Sequence, residues 1–312
     1  MKIGIMSAAF PSLSFVEVLG FLGENGFGSV EAACWPAGAG KDRKYGGVVH
    51  IDVDSLNPTR IDEIKGQCQD SGIELSALGY YANPLHDDPA HRETIIAHLK
   101  KVIAGAGALG VPVVGTFTGR PAILSGRNWK DTIDDHFDEF LKVWPDLVKY
   151  AADQNVKIAI EHCPMLWHDT WPGGNNLSYS PAIIQRCLEA IPDENYGIMY
   201  DPSHFIWQRI DYIRFIYDFA ERIFSVHAQD MALDEEKCYQ HGILSAGIEI
   251  QQRRIPGMGL IDWQEVVKAL YNIGYNSVLN IEHEDPNWEG SVEKVQQGFM
   301  VGKRFLEGFT VA

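Results

Sequence analysis

The sequence predicts an α/β protein that folds as a single (β/α)8 TIM barrel, in which eight parallel strands close into a cylinder inside a ring of helices. Strand-like and helix-like segments alternate along all 312 residues. Eight such pairs can be counted, and eight units favour a closed barrel. No linker, composition break or low-complexity tract divides the chain, so we expect residues 1–312 to form one domain.

The first half of the chain contains four of these pairs. Short apolar runs predict strands at 3–9, 29–35, 74–81 and 111–117. Apolar residues at helical spacing predict helices at 14–25, 58–71, 90–109 and 129–154. Ser14 suits an N-cap, Pro58 suits a first helical turn, and Gly110 suits a helix end. A Gly-rich polar insertion at 36–57 lies between the second strand and its helix.

The second half continues the pattern with one long interruption. Strands are predicted at 157–164, 196–204, 223–230 and 278–285. Helices are expected from 180 onwards and at 212–221, 261–273 and 291–307. The segment 231–259 interrupts the alternation after the seventh strand. The rival fold is a doubly wound open sheet, but no GxGxxG motif follows the first strand, which argues against its dinucleotide-binding form.

Composition limits the partners and the compartment. The formal net charge is −16 and the pI is about 5.0, whereas proteins that grip phosphate backbones are usually basic. We therefore expect neither nucleic acid nor an anionic membrane as a partner. The five cysteines are odd in number and form no CxxC motif, as is typical of reduced intracellular thiols. No run approaches the roughly 20 apolar residues of a membrane span, and we expect a cytoplasmic protein.

Four consecutive predicted strands end in residue types that bind metal ions. These residues are Glu161, Asp201, His227 and Glu282. In a barrel the active site lies at the carboxyl ends of the strands, and neighbouring strands are only about 4.8 Å apart. Alternation along the strand also directs Glu161 into the barrel together with Ala159. We therefore expect the four side chains to meet at one divalent cation.

The donor set suggests which ion would bind. Three carboxylates and one imidazole suit a hard or borderline cation, with Mn²⁺ expected first and Mg²⁺, Co²⁺ and Zn²⁺ as alternatives. Without a thiolate among them, a closed structural zinc site is not expected. A single acid at a strand end is more often a helix cap or a loop hydrogen-bond acceptor. Several acids gathered together would repel one another, so the pattern favours a shared cation.

Five motifs carry a resemblance to a known family. They are IEHCPM at 160–165, DPSH at 201–204, VHAQD at 226–230, PGMGLIDW at 256–263 and IEHEDP at 281–286. Together they resemble the xylose-isomerase-like TIM barrel superfamily of sugar phosphate isomerases and epimerases, which is also described as AP endonuclease family 2-like. Its members include ketose 3-epimerases, hydroxypyruvate isomerases, inosose dehydratases, xylose isomerases and zinc AP endonucleases.

The resemblance implies roles for individual residues. It implies that Glu161, Asp201, His227 and Glu282 ligate the metal ion, that Glu161 and Glu282 also exchange protons with the substrate, and that His204 binds substrate. The AP endonucleases carry further zinc-binding histidines at the tops of the third and fourth strands. Since this sequence has other residues there, a three-zinc site is not expected; these residues are Tyr80, Tyr81, Gly115 and Thr116.

Other polar and aromatic residues are candidates for substrate contacts. Arg254 could bind sugar hydroxyls or a phosphate, or lie on the surface. Glu31 could bind a substrate hydroxyl or pair with a cation inside the barrel. Trp35, Trp167 and Trp171 could form the floor of a sugar pocket or pack within loops.

These observations predict a metal-dependent sugar isomerase or epimerase that moves a proton next to a carbonyl through a metal-stabilised enediolate. One alternative is a lyase or dehydratase that acts on a keto-sugar or inosose at the same metal site. A second is a non-catalytic sugar-binding protein, and a third is DNA repair. We expect a small carbohydrate as the partner, and the sequence leaves formation of a homo-oligomer open.

Overall fold

The computed structural model describes residues 1–38, 45–121, 132–165, 174 and 176–311, and its central feature is a closed barrel. The strands in chain order are β1 (Lys2–Met6), β2 (Ser29–Ala33), β3 (Glu74–Gly79), β4 (Val113–Thr116), β5 (Lys157–Glu161), β6 (Tyr196–Tyr200), β7 (Ile223–Ala228), β8 (Asp230–Leu233), β9 (Gln251–Arg254) and β10 (Val278–Ile281). Around the barrel they follow the order β1-β10-β7-β6-β5-β4-β3-β2. All neighbouring pairs are parallel, which confirms the predicted TIM barrel.

The helices surround this barrel, and several begin and end where the sequence predicts. In chain order they are α1 (Phe15–Glu24), α2 (Pro58–Ser71), α3 (Pro89–Leu109), α4 (Ile133–Asp153), α5 (Pro181–Ala190), α6 (Ser203–Ile206), α7 (Tyr212–Asp218), α8 (Glu235–Ala246), α9 (Trp263–Asn272) and α10 (Val292–Glu307). Ser14 caps α1 through a reciprocal capping box with Glu17. Gly110 ends α3 with a φ of 75°, a conformation that glycine adopts without strain. The predicted start of α4, at Trp129, lies outside the described residues.

The barrel strands end earlier than the sequence predicts. Seven of the eight barrel strands end two or more residues before the predicted segment does, and β4 ends one residue before it. Most of these additional residues are buried in the loops at the carboxyl end of the barrel. After β1, for example, Ser7–Ala9 forms a 3-10 turn, and after β6 the chain enters α6 within three residues. The site therefore lies on the first residues after the strands as well as on their last ones.

The segment 231–259, which interrupts the alternation after the seventh barrel strand, forms most of a small folded unit that the sequence pattern did not predict. Strands β8 and β9 pair antiparallel, with Asp230 opposite Arg254, and α8 lies between them in the chain. We call residues 230–254 the arm. Asp230 fixes its base, because its carboxylate accepts hydrogen bonds from the backbone of Gly257 and Ile261 and from the Trp263 indole.

Side chains fill the barrel interior in levels. One level is an apolar cluster that contains Ala159 of β5. Glu161 follows two residues later on the same strand, so it points into the barrel above this cluster, as alternation predicts. Among the described residues, none of the helices combines the length and the apolar character that crossing a bilayer requires.

Candidate metal centre

Four adjacent barrel strands carry the four predicted ligands at their carboxyl ends. Glu161 is the last residue of β5, Asp201 follows β6, His227 lies near the end of β7, and Glu282 follows β10. These strands are consecutive neighbours around the barrel. The Glu282 N–H also donates to the Ala228 carbonyl at 3.3 Å, which continues the pairing of β10 with β7 by one residue. The topology therefore gathers the predicted ligands on one side of the barrel mouth.

The side chains converge closely enough to share a cation. Glu161, His227 and Glu282 each offer one donor atom, and these atoms all lie within 4.8 Å of one another. Asp201 lies beside this group: its Oδ2 is 3.2 Å from His204 Nε2, which is itself 3.1 Å from Glu161 Oε1. Glu161, Asp201 and His227 are at most 5% exposed, and the Glu282 side chain is 13% exposed.

Unsatisfied atoms in this group fit a bound cation. In the part of the chain that the structure describes, Asp201 Oδ2, His227 Nδ1 and Glu282 Oε2 are buried without a hydrogen-bond partner. His227 Nδ1 and Glu282 Oε2 are 3.6 Å apart, which is beyond hydrogen-bond length. Leaving such an atom unpaired costs about 1–3 kcal/mol. A divalent ion between these atoms would offset that cost, and their carboxylate and imidazole chemistry suits one.

A carboxylate on the opposite side fixes the ring of His227. Glu31 Oε2 lies 2.8 Å from His227 Nε2, and the Tyr81 hydroxyl donates to Glu31 Oε1 at 2.5 Å. Because Nε2 is engaged in this way, Nδ1 is the nitrogen that faces the proposed cation. Gly79 and Gly115 leave room for the pair, since a Cβ at either would lie within 2.6 Å of the Glu31 carboxylate or the Tyr81 hydroxyl. Glu31 thus contacts a proposed ligand, and its predicted contact with substrate stays a prediction.

The charges in the site shift the acid–base behaviour of its groups. Burial raises the pKa of Glu161, and the like charge of Glu282 raises it further, while His204 and His227 act in the opposite direction. Burial alone would lower the pKa of His227, but the carboxylates of Glu31 and Glu282 raise it well above its usual value. Without a cation, this cluster of carboxylates therefore holds a proton on His227.

His162 supports the site from outside the barrel. Its ring stacks on Phe205 at 4.1 Å between centroids, and its Nε2 accepts a hydrogen bond from the Asp201 N–H at 3.0 Å. Burial holds the pKa of His162 well below its usual value, so the ring stays a neutral acceptor. His162 therefore positions the backbone of Asp201 and is not itself among the proposed ligands.

The two arginines of the arm have different surroundings. Arg254 Nη2 donates to the Gln252 side chain at 2.7 Å, and Arg254 Nη1 is 3.7 Å from Asp285 Oδ1, at the root of the arm. Arg253 Nε forms an ion pair of 2.5 Å with Glu284 Oε2. The charge of Glu284 raises the pKa of Arg253, and Cys163 and Glu282 act in the same direction, while burial acts against them. The predicted substrate contact of Arg254 stays a prediction, and Arg253 is a second candidate.

Further polar residues complete the mouth of the barrel. Gln229 Nε2 donates to Glu284 at 3.2 Å, and the Ser203 hydroxyl donates to Gln229 Oε1 at 3.1 Å. Trp35 is buried, with its ring 6.2 Å from that of Tyr81. Trp167 and Trp171, which the sequence proposes for a sugar pocket, lie outside the described residues.

Comparison with known proteins agrees with this geometry. The model of the xylose isomerase-like TIM barrel family matches residues 20–304. The chain belongs to this family. The resemblance that the five motifs carry is thereby confirmed. In TIM barrels generally the active site lies at the carboxyl end of the strands, which is the end that carries the cluster described above.

Individual relatives are distant but cover much of the chain. An inosose isomerase of Bacillus velezensis is 24% identical over 218 residues, which are 69% of this chain and 68% of that protein. A crystal structure of D-psicose 3-epimerase in the presence of D-fructose has a TM-score of 0.71 at 15% identity and covers 99% of each chain. A structure of the IolI protein with a bound zinc atom has a TM-score of 0.70 at 18% identity and covers 100% of each chain.

Proposed function

We propose that the protein is a divalent-metal-dependent isomerase or epimerase of a sugar or sugar derivative. One observation supports this most strongly. The buried carboxylate of Glu161, the partly buried carboxylate of Glu282 and the His227 imidazole have donor atoms within 4.8 Å of one another at the carboxyl end of a TIM barrel. Relatives named as sugar epimerases and as an inosose isomerase add support from the family.

Glu161, Asp201, His227 and Glu282 would hold the cation. When bound, a divalent ion supplies a Lewis acid that polarises a carbonyl and stabilises negative charge on oxygen. Mn²⁺ is our first candidate from the donor chemistry, and Zn²⁺ is a second because of the zinc atom in IolI. Glu31 and Tyr81 hold the His227 ring so that Nδ1 faces inward.

Glu161 and Glu282 are the proposed acid–base pair. They approach from different strands, β5 and β10, which are separated around the barrel by β6 and β7. One carboxylate would take the proton from the carbon next to a substrate carbonyl, and the other would return a proton to the opposite face, which inverts that carbon. If a single carboxylate serves both steps on one face, the outcome is isomerisation instead. Burial and the charge of Glu282 raise the pKa of Glu161, whereas a bound cation would lower it.

His204, Arg253 and Arg254 are the proposed substrate contacts. His204 Nε2 is already within 3.2 Å of both Glu161 and Asp201, so a substrate oxygen at the centre would lie within its reach. Arg253 carries a planar cation that is held by an ion pair with Glu284, two residues after Glu282, and such a cation suits vicinal hydroxyls.

The position of His204 also favours a second candidate function, a dehydratase acting on a keto-sugar or inosose. Both reactions begin with removal of a proton next to the carbonyl. They differ in whether a hydroxyl then leaves. In the dehydratase His204, 3.1 Å from Glu161, would protonate that leaving group.

Two measurements test the proposal. Metal analysis of the purified protein should find about one equivalent of a divalent ion. With ketoses and inososes in D₂O, NMR should detect deuterium at the carbon next to the carbonyl. An unsaturated product would identify the dehydratase, and binding without exchange would identify a non-catalytic sugar-binding protein. Absence of both binding and exchange, with the metal ion present, would refute the proposed function.

A further inference from the structure

A second group of donors lies at the edge of the metal centre and includes a thiol. Glu161, Cys163 and His204 each offer one ligand atom, and these atoms all lie within 4.8 Å of one another. All three side chains are buried. This group shares Glu161 with the group formed by Glu161, His227 and Glu282, but its other donors are a sulfur and an imidazole nitrogen.

The backbone that presents the thiol is held in place. Cys163 lies two residues beyond the end of β5. The buried side-chain amide of Asn176 donates to the Glu161 carbonyl at 2.9 Å and to the Cys163 carbonyl at 2.8 Å. These two bonds hold the backbone on both sides of His162, so the position of the thiol depends on a side chain 13 residues further along the chain.

A fourth donor without a hydrogen bond points to a ligand at this position. Asp201 is fully buried, and its Oδ2 makes no hydrogen bond within the described residues. That oxygen lies 3.2 Å from His204 Nε2, which in turn lies 3.1 Å from Glu161 Oε1. The unsatisfied oxygen therefore borders the thiol-containing group as well as the first centre.

We propose that Glu161, Cys163 and His204 form a second cation subsite that selects thiophilic divalent ions such as Zn²⁺ or Cd²⁺. Zinc binds cysteine sulfur at about 2.3 Å and histidine nitrogen at about 2.0–2.1 Å, so its ligand atoms lie roughly 3.5 Å apart. Atoms within 4.8 Å of one another reach that arrangement through side-chain shifts of about 1 Å. Asp201 Oδ2 is the nearest additional oxygen.

The two positions prefer different ions because their donors differ. The first centre offers carboxylate oxygens and one imidazole, which suit Mn²⁺ and Mg²⁺. The second offers a thiolate and an imidazole, which favour soft ions. Binding there deprotonates the thiol and releases a proton, whereas Mn²⁺ and Mg²⁺ have little affinity for sulfur.

Occupancy of the second subsite has a consequence for turnover that rests on the proposed function. The subsite uses Glu161, a proposed acid–base residue, and His204, a proposed substrate contact. A thiophilic ion bound there would engage both groups. Excess Zn²⁺ or Cd²⁺ should therefore inhibit the enzyme, and excess Mn²⁺ should not.

Cadmium binding tests the subsite directly and does not depend on any activity. We expect calorimetry of the metal-free protein to detect two equivalents of Cd²⁺. One of them should produce the ultraviolet charge-transfer absorption of a cadmium–thiolate bond. C163S should lose this band and one equivalent, whereas C238S should keep both, because Cys238 is a half-buried thiol in the arm. With Mn²⁺ the wild-type protein should bind one equivalent.

The proposal would be overturned if the wild-type protein bound only one equivalent of Cd²⁺ and showed no cadmium–thiolate band. It would also be overturned if C163S kept that band. If C163S does not fold, anomalous diffraction from cadmium-soaked crystals of the wild-type protein decides between the outcomes. A peak bonded to both Cys163 Sγ and His204 Nε2 supports the subsite, and its absence refutes it. Since neither measurement uses a substrate, failure of the proposed sugar chemistry would leave these results intact.

Discussion

Two polar clusters are buried inside the same barrel, one level apart along β10, and they differ in whether their atoms are satisfied. In the lower cluster, the Asn280 amide accepts from the Ser29 hydroxyl and donates to Ser76, each at 3.1 Å. The Ser76 hydroxyl continues to the Val30 carbonyl, so the chain of bonds ends on the backbone. The upper cluster, at the metal centre, is charged and keeps unpaired atoms on three of its four proposed ligands.

Whether the buried polar atoms are satisfied indicates a structural role for the lower cluster and a ligand-binding role for the upper one. A neutral cluster whose hydrogen bonds are made inside the protein needs nothing from outside and fixes the packing of the strands. The upper cluster concentrates carboxylates where burial penalises them, and its atoms point at a common space. Such an arrangement is expected where a ligand completes the bonding, which is why the two clusters should respond differently to substitution.

The largest effect should come from E161Q in the upper cluster. The substitution keeps the size of the side chain but removes both the proposed acid–base group and a charged ligand, so deuterium exchange into substrate should fall by about 10² to 10⁴-fold. Thermal unfolding of the metal-free protein should change little. E74Q is a matched control, because Glu74 lies at the other end of the barrel in an exposed ion pair with Lys2. Exchange at the wild-type rate in E161Q would remove Glu161 from the mechanism.

Second in size is the effect of E31Q on metal affinity. Without the carboxylate, His227 Nε2 loses its charged partner at 2.8 Å, and affinity for Mn²⁺ by calorimetry should fall about 10 to 100-fold. Y81F removes only the hydroxyl that bonds to Glu31 and should weaken binding less. If E31Q binds the ion as tightly as the wild type, the Glu31–His227 pair does not position the ligand.

In the lower cluster, N280A should reduce stability while sparing the metal site. The substitution breaks the bonds to Ser29 and Ser76 and leaves a small cavity, which should lower the free energy of unfolding in urea by about 1–3 kcal/mol. The number of bound metal ions should stay the same. Loss of metal binding in a folded N280A protein would show that the two levels are coupled.

The smallest expected effect on stability concerns His50, a buried histidine whose hydrogen bonds, like those of the lower cluster, are made inside the protein. His50 Nδ1 lies 2.8 Å from the Ser7 hydroxyl, its Nε2 is 3.2 Å from the Phe10 and Leu13 carbonyls, and burial lowers its pKa. Its contribution to stability is complete above the unfolded pKa of about 6.5 and is lost as pH falls through the lower folded value.

The pH dependence of unfolding tests this assignment. Between pH 7 and pH 5, the wild-type protein should lose more stability than H50N. H91N is the control, because His91 lies on the exposed start of α3. Equal slopes for the wild type and H50N would contradict the role of His50.

Local patterns predicted most of the fold and the proposed ligands. Alternation with period two and helical spacing are properties of neighbouring residues, so the eight units were visible, and so were Glu161 and Glu282 at the ends of apolar runs. The arm was not predicted, because β9 is made of Gln and Arg and carries no apolar signal. This strand pairs with β8 as an antiparallel ladder, which no apolar pattern in its sequence indicates.

Contacts between residues that are far apart in the chain could not be predicted from the sequence. Glu31 and His227 are 196 positions apart, and nothing near either residue identifies the other as its partner. The choice between Arg253 and Arg254 depends on which side of β9 faces the ligands, which a strand without apolar residues does not reveal. The proximity of Cys163 to His204 depends likewise on how a turn folds after β5 and on the Asn176 side chain that fixes it.

The arm leaves and rejoins the scaffold within a single βα connection, and Asp230 holds its root through three separate bonds. Protein engineers could therefore treat it as an exchangeable cassette. Swapping residues 231–254 for the corresponding segment of a homologue would replace Arg253 and Arg254, two of the proposed substrate contacts, and leave the sequence of the barrel strands unchanged. We expect such a swap to change which substrate binds while the four proposed metal ligands, which all lie outside residues 231–254, stay in place.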